Sequence, residues 1–148
     1  MTRRLTLLSL ILLILLPAAL SGCASDSQAG ADTTEIKMAA LSDMPDKVKE
    51  SSVSVQNAYR FNVANPEIMK QIPCYCGCGD MGHTSNYACY VQDDSNGKIT
   101  FDGHALGCSI CVDITVDTMR MLKDGKSVVE IKQAVDDTYA KFGPSNIE

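Results

Sequence analysis

The stretch at residues 73–83 reads P-C-Y-C-G-C-G-D-M-G-H, and it decides how the surrounding chain must fold. Its cysteines stand at every second position: Cys74, Cys76 and Cys78. In an extended chain these side chains would point to one side, yet their sulfurs would spread over roughly 13 Å at about 3.3 Å per residue. Gly77 and Gly79 give the backbone the freedom to curl. The stretch therefore predicts an irregular loop that turns its thiols inward.

The other sulfur and imidazole groups fall in two later segments. Cys89 lies in G-H-T-S-N-Y-A-C-Y, whereas Cys108 and Cys111 lie in F-D-G-H-A-L-G-C-S-I-C-V-D. The two histidines of the chain, His83 and His104, belong to the same segments. This clustering of soft ligands is the strongest chemical signal in the sequence.

The N-terminus has the pattern of an export signal. Arg3 and Arg4 precede an apolar run at residues 7–16, and L-S-G-C follows, ending at Cys23. This tripartite pattern predicts a secretory signal peptide over residues 1–22. L-S-G-C resembles the bacterial lipobox, in which cleavage precedes the cysteine and that residue is acylated. We therefore expect Cys23 to carry a lipid that anchors the protein to the outer face of the cell membrane.

Charge and composition limit the partners of the chain and indicate how it is organised after the signal peptide. The chain has 13 basic and 18 acidic residues, a formal net charge of −5 that disfavours nucleic acid as a partner. Residues 23–42 are small and polar with little periodicity, which predicts a flexible spacer after the lipid. Residues 43–148 then form one cysteine-rich helical domain. Because tryptophan is absent, its small aliphatic core favours an additional covalent or metal cross-link.

Helical periodicity covers both ends of this domain. One apolar face recurs at Val48, Ser52, Val55, Tyr59 and Val63. Asn65-Pro66-Glu67 predicts a short second helix, with proline at its first position. A third helix begins near Cys108 and Cys111 and ends at Asp124-Gly125. A fourth begins at the capping box S-V-V-E, residues 127–130, and its inward face is expected at Val128, Ile131, Val135, Tyr139 and Phe142.

The middle of the domain carries a turn signal. D-D-S-N-G at residues 93–97 separates two short apolar runs, which predicts a β-hairpin. A calcium loop of the EF-hand type is the alternative, but Gln92 and Gly103 stand where its strongest ligands are required. The predicted fold class is therefore mainly α, a small helical domain with an irregular cysteine-rich loop and a short β-hairpin.

Three segments together resemble a known family. P-C-Y-C-G-C-G at residues 73–79, the segment at 82–90 and the segment at 101–113 are similar to the bacterial PCYCGC-motif lipoproteins. The likeness extends over roughly residues 43–143. It implies an anchored, exported domain whose pattern includes all six cysteines after Cys23 and both histidines.

Disulfide bonding and redox catalysis are two uses of the thiols that the sequence leaves open. Exported domains commonly form disulfides, and six cysteines permit three bridges. Cysteines two positions apart seldom bridge each other, so the triplet would pair with the three later cysteines, giving a surface interaction domain without metal. Alternatively, Cys108 and Cys111 form C-x-x-C near a helix start, as in thiol–disulfide oxidoreductases. No βαβ pattern surrounds this pair.

Metal binding accounts for the histidines as well. Thiolate and imidazole together suit zinc(II), whereas thiolate with thioether favours copper(I). Met81 is a further soft ligand for copper, unless it fills the core. The favoured hypothesis is a membrane-anchored, extracytoplasmic metal-binding protein, not an enzyme, that delivers or sequesters copper(I) or zinc(II) for a metal transporter or metalloenzyme.

The hypothesis assigns each ligand a position. Cys74, Cys76 and Cys78 form one arm of the site. The second arm contains His104, Cys108 and Cys111, and the two remaining residues, Cys89 and His83, complete or gate the site.

Overall fold

Helices make up most of the computed structural model, which describes residues 36–147. The helices of this part of the chain are α1 (Asp46–Lys49), α2 (Val53–Ala64), α3 (Pro66–Met69), α4 (Ser109–Lys123) and α5 (Val128–Tyr139). Strands β1 (Val91–Asp93) and β2 (Thr100–Phe101) pair antiparallel. The predicted fold class, mainly helical with a cysteine-rich loop and a short hairpin, is confirmed. Within residues 36–147, none of the helices has the length and apolar character needed to cross a membrane.

The first predicted helix is divided in two by a pair of serines. The Ser51 hydroxyl donates to the carbonyl of Val48 at 2.6 Å, and the Ser52 hydroxyl accepts from the amide of Val55 at 3.4 Å. Serine side chains compete with backbone hydrogen bonds in this way, which disfavours a helix interior and favours an N-cap. Ser52 therefore begins α2 instead of continuing α1.

The C-terminal helices follow the predicted signals closely. Ser127 and Glu130 form the reciprocal capping box at the start of α5, and Gly125 between the helices has φ +75°. The inward prediction for Phe142 is wrong, because its side chain is 52% exposed. Helix α5 ends at Tyr139, so the helical register that would have turned Phe142 inward stops three residues earlier.

The residues before α1 lie against the domain. Ala39 exchanges two hydrogen bonds with Arg60, at 3.0 Å through its amide and 2.7 Å through its carbonyl. The side-chain amide of Asn65 donates to the Lys37 carbonyl at 2.9 Å. Ordered contacts therefore begin before residue 43. The predicted signal peptide, Cys23 and residues 24–35 lie outside the described residues.

The core lies where α4 packs between α2 and α5. Tyr59 of α2 meets Tyr90 edge to face, with ring centroids 4.8 Å apart, and both side chains are fully buried. Four cysteines belong to this same buried cluster: Cys74, Cys78, Cys89 and Cys111. The hydrophobic core and the cysteine loop are therefore one continuous region, and the thiols are held by the packing of the helices.

Candidate metal centre

Two glycines shape the cysteine loop. Pro73 follows α3 and is buried, and the chain then reaches a short 3₁₀ turn, Cys78–Met81. Gly77 before the turn has φ +77° and Gly82 after it has φ +86°. A side chain at either position would be strained in this left-handed conformation. The predicted curl is present, and it uses Gly77 and Gly82, whereas Gly79 keeps an ordinary φ.

Four thiols from three parts of the chain meet in an arrangement that we call the inner cage. Its members are Cys74, Cys76, Cys89 and Cys111, whose sulfurs all lie within 4.8 Å of one another. The Cys74 sulfur lies 3.4 Å from that of Cys76 and 3.4 Å from that of Cys111. The Cys76 and Cys111 sulfurs are 3.6 Å apart. Only Cys76 of the four is partly exposed.

A second group of four donors, the outer cage, shares two of these cysteines. It consists of Cys76, His104, Cys108 and Cys111, again with ligand atoms within 4.8 Å of one another. His104 Nε2 lies 3.4 Å from the Cys76 sulfur. Cys108 is the N-cap residue of α4, and Cys111 lies in the first turn of that helix. Three of the four members are partly exposed, so this cage lies nearer to solvent than the inner one.

A third group contains both histidines. Cys78, His83 and His104 present ligand atoms within 4.8 Å of one another, and the two imidazole rings meet edge to face at 5.0 Å. His83 Nε2 lies 3.4 Å from Asp102 Oδ2. Its Nδ1 is buried and has no hydrogen-bond partner among the described residues. Asp102 therefore lies beside one nitrogen of His83, and the other nitrogen faces no polar partner among the described residues.

The eight predicted ligand residues all take part in these three groups, but the triplet does not act as one arm. Cys74 and Cys76 join the inner cage, whereas Cys78 groups with the histidines and lies 3.6 Å from the Cys89 sulfur. Gly77, which has a left-handed φ, lies between Cys76 and Cys78. Met81 is 64% exposed, so it does not fill the core.

The six described cysteines are free thiols. Their closest sulfur–sulfur distance is 3.4 Å, well beyond the roughly 2.05 Å of a disulfide bond. The structure therefore gives no pairing for the alternative disulfide framework within residues 36–147.

A family comparison agrees with the motif that runs through this site. A model described as "Protein of unknown function with PCYCGC motif" matches residues 12–145. The chain belongs to this family. Comparison with curated proteins and with solved structures gave no match. The PCYCGC motif itself, residues 73–78, supplies two thiols of the inner cage and one of the histidine group.

The pKa of the thiols at this site is shifted in both directions, lowered at Cys74 and raised at Cys76, Cys78 and Cys111. The hydrogen bond between the Cys74 and Cys111 sulfurs is the main cause of a lowered pKa at Cys74 and of a raised pKa at Cys111. Burial is the main cause of the raised pKa of Cys76 and Cys78.

A buried polar network holds α4 against the motif-bearing loop. The Asn86 side-chain amide donates to the Cys111 carbonyl at 3.2 Å, while its own backbone amide donates to Ile72 at 2.8 Å. The Thr115 hydroxyl lies 2.8 Å from Asn86 Oδ1 and 2.8 Å from the Tyr90 hydroxyl. These bonds fix Cys111 relative to the loop. Sequence reasoning missed them, since asparagine and threonine are common in loops and helices alike.

The C-terminus supplies another residue that sequence reasoning missed. Asn146 Oδ1 accepts from the Cys74 amide at 2.7 Å, and Asn146 Nδ2 donates to the His83 carbonyl at 2.9 Å. Nearby, a Cβ on Gly143 would approach the Tyr75 carbonyl oxygen to 2.8 Å, so the chain passes closely over the motif. Asn146 therefore ties both sides of the cysteine loop together.

Replacing Asn146 by alanine should lower the free energy of unfolding by about 1–3 kcal/mol, because the Cys74 amide and the His83 carbonyl lose their partner. Metal affinity should fall by about 10- to 100-fold, the usual cost of losing a residue that orients ligands. Urea denaturation and competition with a chelator measure the two effects. Ser145→Ala is the matched control, because the Ser145 hydroxyl bonds to the backbone of Ile147 and to none of the described cysteines or histidines. An Asn146→Ala variant that equals this control in both measurements contradicts the assigned role.

Proposed function

We propose that this protein binds zinc(II) or copper(I) through its thiolates and delivers or sequesters the ion, as a binding protein and not as an enzyme. The observation that carries the proposal is the inner cage, in which four thiols from distant parts of the chain lie within 4.8 Å of one another. Buried thiols without disulfide bonds have few structural reasons to converge in this way. Thiolate ligands at such distances suit zinc(II) and copper(I) above the harder divalent ions.

The spacing of the sulfurs supports a tetrahedral ion. With zinc–sulfur bonds of 2.3 Å, two sulfurs of a tetrahedral site lie about 3.8 Å apart. The measured separations of 3.4 and 3.6 Å therefore need only small side-chain adjustments to admit an ion. Helix α4 and the cysteine loop already hold the ligands in place, so little ordering entropy opposes binding.

The proposed location is the outer face of the bacterial cell membrane. The support is the export signal over residues 1–22 and the lipobox-like L-S-G-C, with a lipid on Cys23 as the anchor. Residues 23–35 would tether the domain to the membrane. In that setting a bound ion protects the thiolates from oxidation, which accounts for free cysteines in an exported chain.

Exchange with a partner is proposed to proceed through the outer cage. Cys76, His104 and Cys108 are its partly exposed members, whereas Cys111 is fully buried. A metal transporter or a metalloenzyme that presents its own soft ligands would reach these three donors first. The net charge of −5 further suits attraction of a cation.

Metal content after anaerobic purification tests the proposal. The full chain and a Cys74→Ser, Cys76→Ser, Cys78→Ser variant are each incubated with zinc(II), or with copper(I) under a reducing agent, and then freed of unbound metal. Wild type should retain metal after gel filtration. The triple variant should retain almost none, because the inner cage loses two of its four sulfurs.

Ser127→Ala provides the stability control for this experiment. It removes the N-cap of α5 and should cost about 1 kcal/mol without changing metal content. Wild type that holds neither ion overturns the proposal. Turnover of a dithiol substrate by metal-free protein, lost in Cys108→Ser, would instead favour the oxidoreductase alternative.

A further inference from the structure

We infer that the centre holds two divalent ions, one in each cage, bridged by the thiolates of Cys76 and Cys111. This inference rests on the proposed metal binding and specifies its stoichiometry and its ion. It assigns zinc(II) to the site in preference to copper(I).

Overlap of the two cages is the geometric basis. Each cage has four donors within 4.8 Å of one another, and the two cages share Cys76 and Cys111. A thiolate sulfur has several lone pairs and binds two metal ions at once, whereas one imidazole nitrogen binds only one. The shared residues are both cysteines, and their sulfurs are 3.6 Å apart, close to the separation that two tetrahedral ions with common sulfur ligands require.

Each cage also has two donors of its own. The inner cage keeps Cys74 and Cys89, and the outer cage keeps His104 and Cys108. A single tetrahedral ion uses four ligands and would leave two of these six donors without metal. Two ions with two bridging sulfurs use all six, and each ion still reaches the four ligands that structural zinc sites contain.

Charge gives a reason for the second ion. Four thiolates in the inner cage exceed the charge of one zinc(II) by two, and three of these residues are buried. None of the hydrogen bonds to the six described thiols comes from a lysine or arginine. Uncompensated charge in such a place is costly.

Zinc(II) and copper(I) differ in how far a second ion reduces the excess negative charge. With a second zinc(II) in the outer cage, five thiolates exceed the charge of two ions by only one. Two copper(I) ions would leave the excess at three, the same as one copper(I) in the inner cage alone. Only the divalent ion gains from sharing the thiolates, and zinc(II) is the divalent ion that the mixed thiolate and imidazole donors suit.

Cobalt(II), a paramagnetic substitute for zinc(II), tests the bridge. Anaerobic full-length protein is titrated with cobalt(II), and native mass spectrometry counts the ions while electron paramagnetic resonance follows their spins. We expect two ions per chain, with a spin signal that grows during the first equivalent and declines during the second, because the two ions couple through shared sulfur. A signal that grows through both equivalents overturns the bridge. No ion, one ion or three ions per chain overturns the inference, whereas the proposed metal binding is overturned only if the chain also retains neither zinc(II) nor copper(I).

Cys108→Ser separates the cages without unfolding the protein. Cys108 caps α4 but makes no side-chain capping bond, and serine is among the best N-cap residues, so the helix should form at least as well. The variant should bind half as much cobalt(II), with no decline of the spin signal. Thr118→Val is the matched control on the same helix, because the Thr118 hydroxyl donates to the Ile114 carbonyl of α4 and Thr118 belongs to none of the three groups; it should leave two coupled ions. Two ions in Cys108→Ser, or one in Thr118→Val, contradicts the assignment of ligands.

Discussion

Replacing Cys111 by alanine should lower the affinity for zinc(II) by more than about a hundredfold and leave no high-affinity ion in either cage. Cys111 is the buried member of both cages, so its sulfur cannot be lost from one without the other. Residues that merely orient a metal ligand already contribute about 10- to 100-fold to affinity, and removal of a shared ligand should exceed that range. Competition with a chromophoric chelator measures the change.

The alanine variant is expected to remain folded. Alanine favours helix, leaves no unpaired polar atom, and removes only one buried sulfur from the first turn of α4. Thr118→Val is the matched control on the same helix, because the Thr118 hydroxyl is buried and bonds only to the Ile114 carbonyl of its own helix. Unchanged zinc affinity in Cys111→Ala, with normal affinity in Thr118→Val, would remove Cys111 from the centre.

Local patterns were sufficient to predict most helices. Pro66 at the first position of α3 and the capping box at Ser127 and Glu130 act through neighbouring residues, and the structure has both. Ser51 and Ser52 show the limit of periodicity, because their hydroxyl groups end one helix and begin another while the apolar spacing continues unbroken.

The candidate site was predictable in its membership and not in its arrangement. Cysteine and histidine are rare enough for their clustering to be visible in one sequence. The triplet is divided between two groups of donors, with Cys78 beside the histidines, and the turn between Cys76 and Cys78 is made by Gly77 with its left-handed φ. Alternation along the chain describes an extended backbone and carries no information about such a turn.

The residues that position the ligands could not be predicted from the sequence, for a different reason. Asn146 is 72 positions from Cys74, and Asp102 acts on His83 through space at 3.4 Å. Asparagine and aspartate are ordinary residues of loops, so their types give no signal until the tertiary structure brings them to the ligands. Long-range polar contacts of this kind have no local sequence signature.

Removing the metal should lower the melting temperature of the domain by about 15–30 °C. The ligands come from the cysteine loop, the turn before β1, and α4, so a bound ion connects elements that are distant in sequence. Binding stabilises the folded state by about 4 kcal/mol when free metal exceeds its dissociation constant a thousandfold. For a domain of about 100 residues, each kcal/mol shifts the melting temperature by roughly 4–8 °C.

Calorimetry of the zinc-loaded protein before and after chelation measures this shift, and restored zinc should reverse it. The difference should shrink as the pH falls, because protons compete with the ion for the thiolates and metal binding must release them. Cys111→Ala should melt at the same temperature with and without chelator, since it has no high-affinity ion to lose. A wild-type melting temperature that stays constant while the chelator removes the metal would show that packing alone holds the thiols together.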